Sequence, residues 1–370
     1  MIALAAGLLL SVAVQVQVPR TLSVRRDLLV DPATADLSAV LFNVAVSPRG
    51  DILVGQANDG LIKVFSPVGV VSTVGRKGEG PGEFRRVTRI GFKQDSLWTF
   101  DPALSRVSVF SPGYKFVRSF AEPVSKEVGV SRLWPQALLP NGDLRAAVSF
   151  IPTLRRPAWA ARADSGTTML VRVSAAGAIR KPIGFFPRSH CQVSRAVGSL
   201  ITNMAIPFCP ERLSTESFAT AGFAFVEVSD ESFRVTSIGA NDDTLFVKVF
   251  PFAPIAVTKG ALDTLREREQ EIRKISSAAS WAARPVVVPA RTYPPVRRVV
   301  LGRDNTVWLE LRTESGGHRW LALDPRGISL GTVLLPDGVS LEVAERGTLW
   351  GLVTDDDGLR GVVRYRVTGY

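Results

Sequence analysis

Apolar and polar positions change places along this chain in short, repeated bursts. Residues 44–74 read as an apolar strand, a tight polar turn at Ser47-Pro-Arg-Gly-Asp51 and a second strand at Ile52-Leu-Val-Gly55. A short loop, a third strand at Leu61-Ile-Lys-Val-Phe65 and a fourth that runs out into a loop complete the module. Residues 87–120 repeat the plan, with a turn at Lys93-Gln-Asp95 and strands at Ser96-Leu-Trp-Thr-Phe100 and Arg106-Val-Ser-Val-Phe110. A third module opens at Leu133 and turns at Pro140-Asn-Gly-Asp143. A fourth, less regular, covers 217–250. A fifth turns at Gly302-Arg-Asp-Asn305, and a sixth runs from Leu341 to Val367.

Equivalent turn positions lie 44 residues apart from Asp51 to Asp95, 48 from Asp95 to Asp143 and 43 from Asp304 to Gly347. That is the period of a four-stranded propeller blade, and short strands with turn chemistry at fixed offsets support the same reading. The expected fold is all-β: a six-bladed β-propeller of four-stranded blades. The sixth module shows only three clear strands, so the isolated strand near residues 22–29 is expected to supply its fourth. Closing the ring in this way leaves no free sheet edge at the seam.

One stretch breaks the period. Thr258 can cap a helix from Lys259 to about Ala279, with Leu262, Leu265, Ile272 and Ile275 along one side. Asp263 and Glu267 come early and Arg273 and Lys274 late, as a helix dipole favours. The expectation is a helical insertion at about 258–280, between the fourth and fifth blades, packed on the propeller.

The glycine-rich run Gly78-Glu-Gly-Pro-Gly-Glu-Phe84, the Phe-Ser-Pro module ends and the terminal Val-Val-Arg-Tyr-Arg-Val resemble the secreted bacterial six-bladed propellers related to the NHL-repeat family. The resemblance spans nearly the whole chain after the leader. It implies a fold and an exported location, and no reaction, since most members have no assigned activity.

Composition adds bounds. A hydrophobic fraction of 46% against 21% charged residues excludes a disordered chain. Residues 1–18 carry no charge, and the apolar run 2–10 followed by Ser11-Val-Ala13 reads as a signal peptide lacking its basic n-region. Residues 19–370 are then a single exported domain, periplasmic or extracellular, with no later membrane span and expected to be a monomer. Cys191 and Cys209 are the only cysteines. In an oxidising compartment their expected state is a loop-closing disulfide, with free thiols as the alternative, and they give no zinc signature.

Chemistry is sparsely supplied. A phosphate loop needs Lys-Ser/Thr opening a helix after its glycines, whereas Glu83-Phe84-Arg85 and then a strand follow here. The glycines are expected to allow the tight route between blades. His190 and His318 are the only histidines, so no multi-histidine metal site can form. Asp101, Asp230 and Glu231 are read as solvated turn residues, and the Gly-x-Ser-x-Gly elbow is absent.

The net charge is +11 and arginine carries most of it. The long insertions, 151–166, 186–217 and 251–295, all join second to third strands or one blade to the next, which puts them on one face. That face would carry Arg85, Arg86, Arg155, Arg156, Arg162, Arg188 and Arg195, with Trp159 and Trp281 in the insertions. The leading expectation is a binding or scaffold module that recognises an anionic glycan, a peptide or a cell-envelope protein through this basic face. No nucleic-acid motif accompanies the charge. No cofactor is called for. The alternative is a lyase or lactonase-like enzyme holding calcium or another divalent metal on channel carboxylates.

Overall fold

The computed structural model describes residues 20–38, 41–69, 71–151, 154–161, 167–187, 191–197, 200–209, 216–229, 231–314 and 317–370. Residues 1–18, read from the sequence as a signal peptide, lie outside the described residues. The chain folds into six four-stranded antiparallel sheets in sequence order. Their inner strands are Leu41–Val46, Arg89–Lys93, Val130–Leu138, Glu216–Ala219, Val296–Leu301 and Val339–Glu345. Each inner strand neighbours the next and the sixth neighbours the first, so the sheets form a closed ring. This is the six-bladed β-propeller that the repeat predicts.

The ring is closed by the N-terminal strand. Ser23–Val30 pairs antiparallel with Arg360–Thr368 and becomes the outer strand of blade six. Just before it, the Leu22 N–H donates to Thr332 O on blade five, and the Leu22 side chain is buried between blades five and six. One end of the chain thereby fastens the other, and separating them would expose that apolar contact and a whole strand edge.

Each sheet is covered on both faces by its neighbours. Strands that are internal to a blade therefore lose their polar alternation: all five residues of Ile52–Gln56 are buried. Large aromatics fill the wedges between blades. Trp98 and Phe100 pack with Leu133 and Met169 between blades two and three. Trp350 packs with Ile52 and Phe65 between blades six and one.

A buried ion pair fixes blade three to blade four. Arg145 is fully buried and donates to Asp242 Oδ1 (3.0 Å from Nη2) and to the carbonyls of Ala219, Gly222, Gly239 and Ala240. Burial pulls the guanidinium below its ordinary pKa, and the Asp242 contact opposes that shift. Arg172 meets the other carboxylate oxygen of Asp242 at 2.6 Å.

The helical insertion differs from the sequence expectation in two respects. Thr258 caps the helix Lys259–Ile275 through a bond from Ala261 N–H, but no residue of this helix is buried. Its stripe of Leu262, Leu265 and Ile272 is interrupted by Glu269. It rests on its own flanking segments across a groove lined by Val257, Val287 and Pro289, and does not sit flat on the propeller. Ile275 is 86% exposed. The helix also stops earlier than predicted, because Ser277 caps a separate short helix, Ala278–Ala282. Between blades three and four, Gln192–Val197 and Leu200–Ala205 form a hairpin whose base is joined by the Cys191–Cys209 disulfide.

Candidate binding face

In a four-stranded meander, the first and third turns fall at one end of the blade. The second turn and the link to the next blade fall at the other. The end carrying first turns is tied across the ring: Thr220 Oγ1 donates to Phe92 O, from blade four to blade two, at 2.6 Å. Arg303, in the first turn of blade five, reaches Val46 O and Ser47 O of blade one as well as Glu345 of blade six. The opposite end carries all the long insertions.

On that end the glycine-rich loop is structural, as expected. Gly78 N–H donates to Phe84 O and Phe84 N–H to Arg76 O, while Glu83 accepts from Gly80 N–H and from Arg76. Glu83 is held below the usual carboxylate range by these same donors, the Gly80 N–H first. The loop spends its own donors on itself, and a strand follows it. Phe84 is fully buried against Phe110. Gly75, at φ +74°, lies so near the Phe84 ring that a Cβ would come within 2.4 Å of it.

The next link is held by Asp101, which the sequence reading places as a solvated turn residue. It is in fact 1% exposed. Its carboxylate accepts the backbone N–H groups of Arg85, Arg86, Ala103 and Leu104. One side chain thereby fixes the second turn of blade two and the stretch entering its inner strand. Of the other two carboxylates so read, Glu231 is exposed and Asp230 lies outside the described residues.

These constraints shape a cleft of about 700 Å³ between blades two and three. Arg86, Thr88, Arg89, Arg132, Gln136 and Ser149 supply its polar wall, and Phe100, Pro102, Trp134 and Pro135 much of its apolar wall. Arg132 stacks over the Trp134 ring at 3.9 Å and grips Glu122 with two bonds of 2.7 Å. The Glu122 bonds raise the guanidinium above its ordinary pKa, against the effect of burial. Trp134 Nε1 donates to Ser149 Oγ at 3.0 Å, so the ring is fixed from both sides. The result is a rigid aromatic edge among arginines, suited to a ligand with both an anionic group and an apolar face.

The predicted site residues divide. Arg86 lines the cleft, while Arg85 beside it pairs with Glu79. Arg155 is exposed on the blade-three insertion. Arg156 stacks over Phe150 at 5.0 Å, and Trp159 packs on the same ring at 6.2 Å, so both hold that insertion down. Arg195, on the disulfide-closed hairpin, donates to Arg284 O and joins the hairpin to the helical insertion. Trp281 lies between Arg273 and Arg284. Arg162, Arg188 and His190 lie outside the described residues. Arg89, Arg132 and Trp134 were missed by the sequence reading. The only signal for the last two is an arginine and a tryptophan two apart on an inner strand, which reads as core, and Arg89 opens the inner strand of blade two with none.

His318 sits at the same end of blade five, with Nδ1 2.7 Å from the buried Glu310 carboxylate, which Arg297 also approaches at 3.4 Å. Among the described residues, no group of three or more His, Cys, Asp or Glu side chains converges to hold a metal. No helix among them is long and apolar enough to cross a membrane.

No protein-family model matches the chain, and no curated protein matches its sequence. Solved structures align along nearly all of it at low identity. Virginiamycin B lyase from Staphylococcus aureus is 13% identical over 94% of this chain and 100% of its own, with a TM-score of 0.44. Aldose sugar dehydrogenase from Streptomyces coelicolor is 13% identical over 95% and 99%, with a TM-score of 0.44. A Bacteroides fragilis chain named a "putative exported protein" is 12% identical over 94% and 96%, with a TM-score of 0.45.

Proposed function

We propose that this chain is an exported, NHL-like propeller that recognises an anionic ligand in the cleft between blades two and three. The observation that carries this reading is the convergence of Arg86, Arg89 and Arg132 on a cleft whose apolar side is Trp134, Phe100 and two prolines. Guanidinium groups bind carboxylates and sulfates in a forked geometry. A fixed aromatic ring gives the ligand's apolar face a surface with little ordering cost. An acidic oligosaccharide has both features, and an acidic peptide with an aromatic or aliphatic residue has them too. Export rests on the uncharged leader and is supported by the disulfide, which belongs to oxidising compartments.

The test is calorimetric titration of the mature protein with a short uronate oligomer and its neutral counterpart, repeated on Arg86→Gln/Arg89→Gln. The reading predicts binding of the acidic oligomer alone, weakened at least about tenfold in the variant, a loss of about 1.4 kcal/mol. Equal heats from both oligomers, or an unaffected variant, would reject it.

A further inference from the structure

The helical insertion carries a second surface that the anionic cleft does not explain. After the short helix the chain runs Arg284-Pro-Val-Val-Val-Pro-Ala-Arg291. Each proline pushes the residue before it towards extended backbone. Burial alternates along the three valines as in a strand: Val286 is 87% exposed, Val287 half-buried over the groove under the helix, and Val288 77% exposed. Yet the segment belongs to no sheet, and no backbone hydrogen bond joins 286–288 to any described residue. Further along, the Ala290 N–H donates to Pro207 O of the hairpin region. Three β-branched residues with strand-like alternating burial and no backbone partner among the described residues are a template for strand addition.

Charge selects the occupant. Arg284 and Arg291 bracket the valines, and neither has a carboxylate partner among the described residues. A second copy of this chain is a poor fit. Antiparallel self-pairing about Val287 would set Arg284 opposite the other copy's Ala290, one residue from its Arg291, and do so twice by symmetry. Like charges at that range oppose pairing. A foreign strand with acidic residues at both ends meets the same arginines favourably.

We infer that Val286–Val288 is an open strand edge that binds an extended, β-branched peptide segment flanked by carboxylates. The segment pairs its backbone with the valines, packs side chains on Val286 and Val288, and places its acidic ends on Arg284 and Arg291. This surface is distinct from the cleft.

The experiment uses the full mature chain and two fluorescein-labelled peptides, Glu-Val-Thr-Val-Glu and Lys-Val-Thr-Val-Lys, followed by fluorescence anisotropy. Val288→Lys is the variant; its side chain is exposed, so circular dichroism should match the parent. The inference predicts saturable binding of the acidic peptide, at least about tenfold tighter than the lysine peptide and weakened about tenfold by Val288→Lys. Arg284→Glu/Arg291→Glu should invert the preference. Absence of binding, equal binding of both peptides or indifference to Val288→Lys would overturn it. So would a concentration-dependent dimer in sedimentation that Val288→Lys abolishes, because that assigns the edge to a second copy.

Discussion

Replacing Arg145 with methionine tests how the ring is held together. The side chain is fully buried, bonded to one carboxylate and four carbonyls of blade four, and its partner Asp242 has no exposed side-chain surface either. Methionine fills most of the volume but leaves Asp242 with Arg172 alone and strips four carbonyls of a donor. Breaking a buried pair in this way costs about 3–5 kcal/mol. Unfolding entropy near 2 cal/mol/K per residue gives a chain of this length roughly 0.7 kcal/mol/K, so the midpoint should fall by about 4–7 °C. Differential scanning calorimetry reads this directly. Adding Asp242→Asn should cost far less than that substitution costs alone, because the two residues share one interaction. A midpoint within a degree of wild type, or additive losses in the double variant, would refute the idea that this pair joins blades three and four.

Other outcomes follow from the same contacts. Phe84→Ala, which empties the wedge between blades one and two, should cost about 3–5 kcal/mol in denaturant unfolding. Asp27 is opposed by burial, but hydrogen bonds from Arg364 and Arg366 win and hold it below its ordinary value of 3.8. A depressed carboxylate stabilises the fold above its unfolded pKa and loses that contribution as pH falls through the folded value. Ring closure should therefore weaken below about pH 4, and Asp27→Asn should flatten the acid limb of the stability curve. Cys191→Ser/Cys209→Ser should speed proteolysis in the 191–209 hairpin while leaving the propeller's thermal midpoint within about a degree, since the bridge closes a local loop.

The blade repeat was legible because its turns are made by Asp, Asn, Gly and Pro at fixed offsets, chemistry that solvent exposure preserves. The leftover N-terminal strand was legible as a weakly alternating segment without a local partner. Asp101 was misread because its burial is created by backbone donors from a loop fifteen residues earlier, which local polarity does not reveal. Arg132 and Trp134 were missed because an inner strand facing both a neighbouring blade and the channel mixes core and site residues without a period. The helix met its expected cap and carries Arg273 and Lys274 in its last turn, although no acidic residue falls in its first, and nothing local says whether a stripe of three apolar residues will find a blade or only its own flanking chain.

The central claim is that the cleft between blades two and three is the binding surface. Hydrogen exchange measured with and without a saturating uronate oligomer tests it most directly. Protection should concentrate in residues 86–89, 100–103, 132–136 and 147–149, and should fade as salt rises from 50 to about 500 mM. Exchange unchanged in those stretches, or protection centred on the first-turn end around Ser47–Asp51, would contradict it.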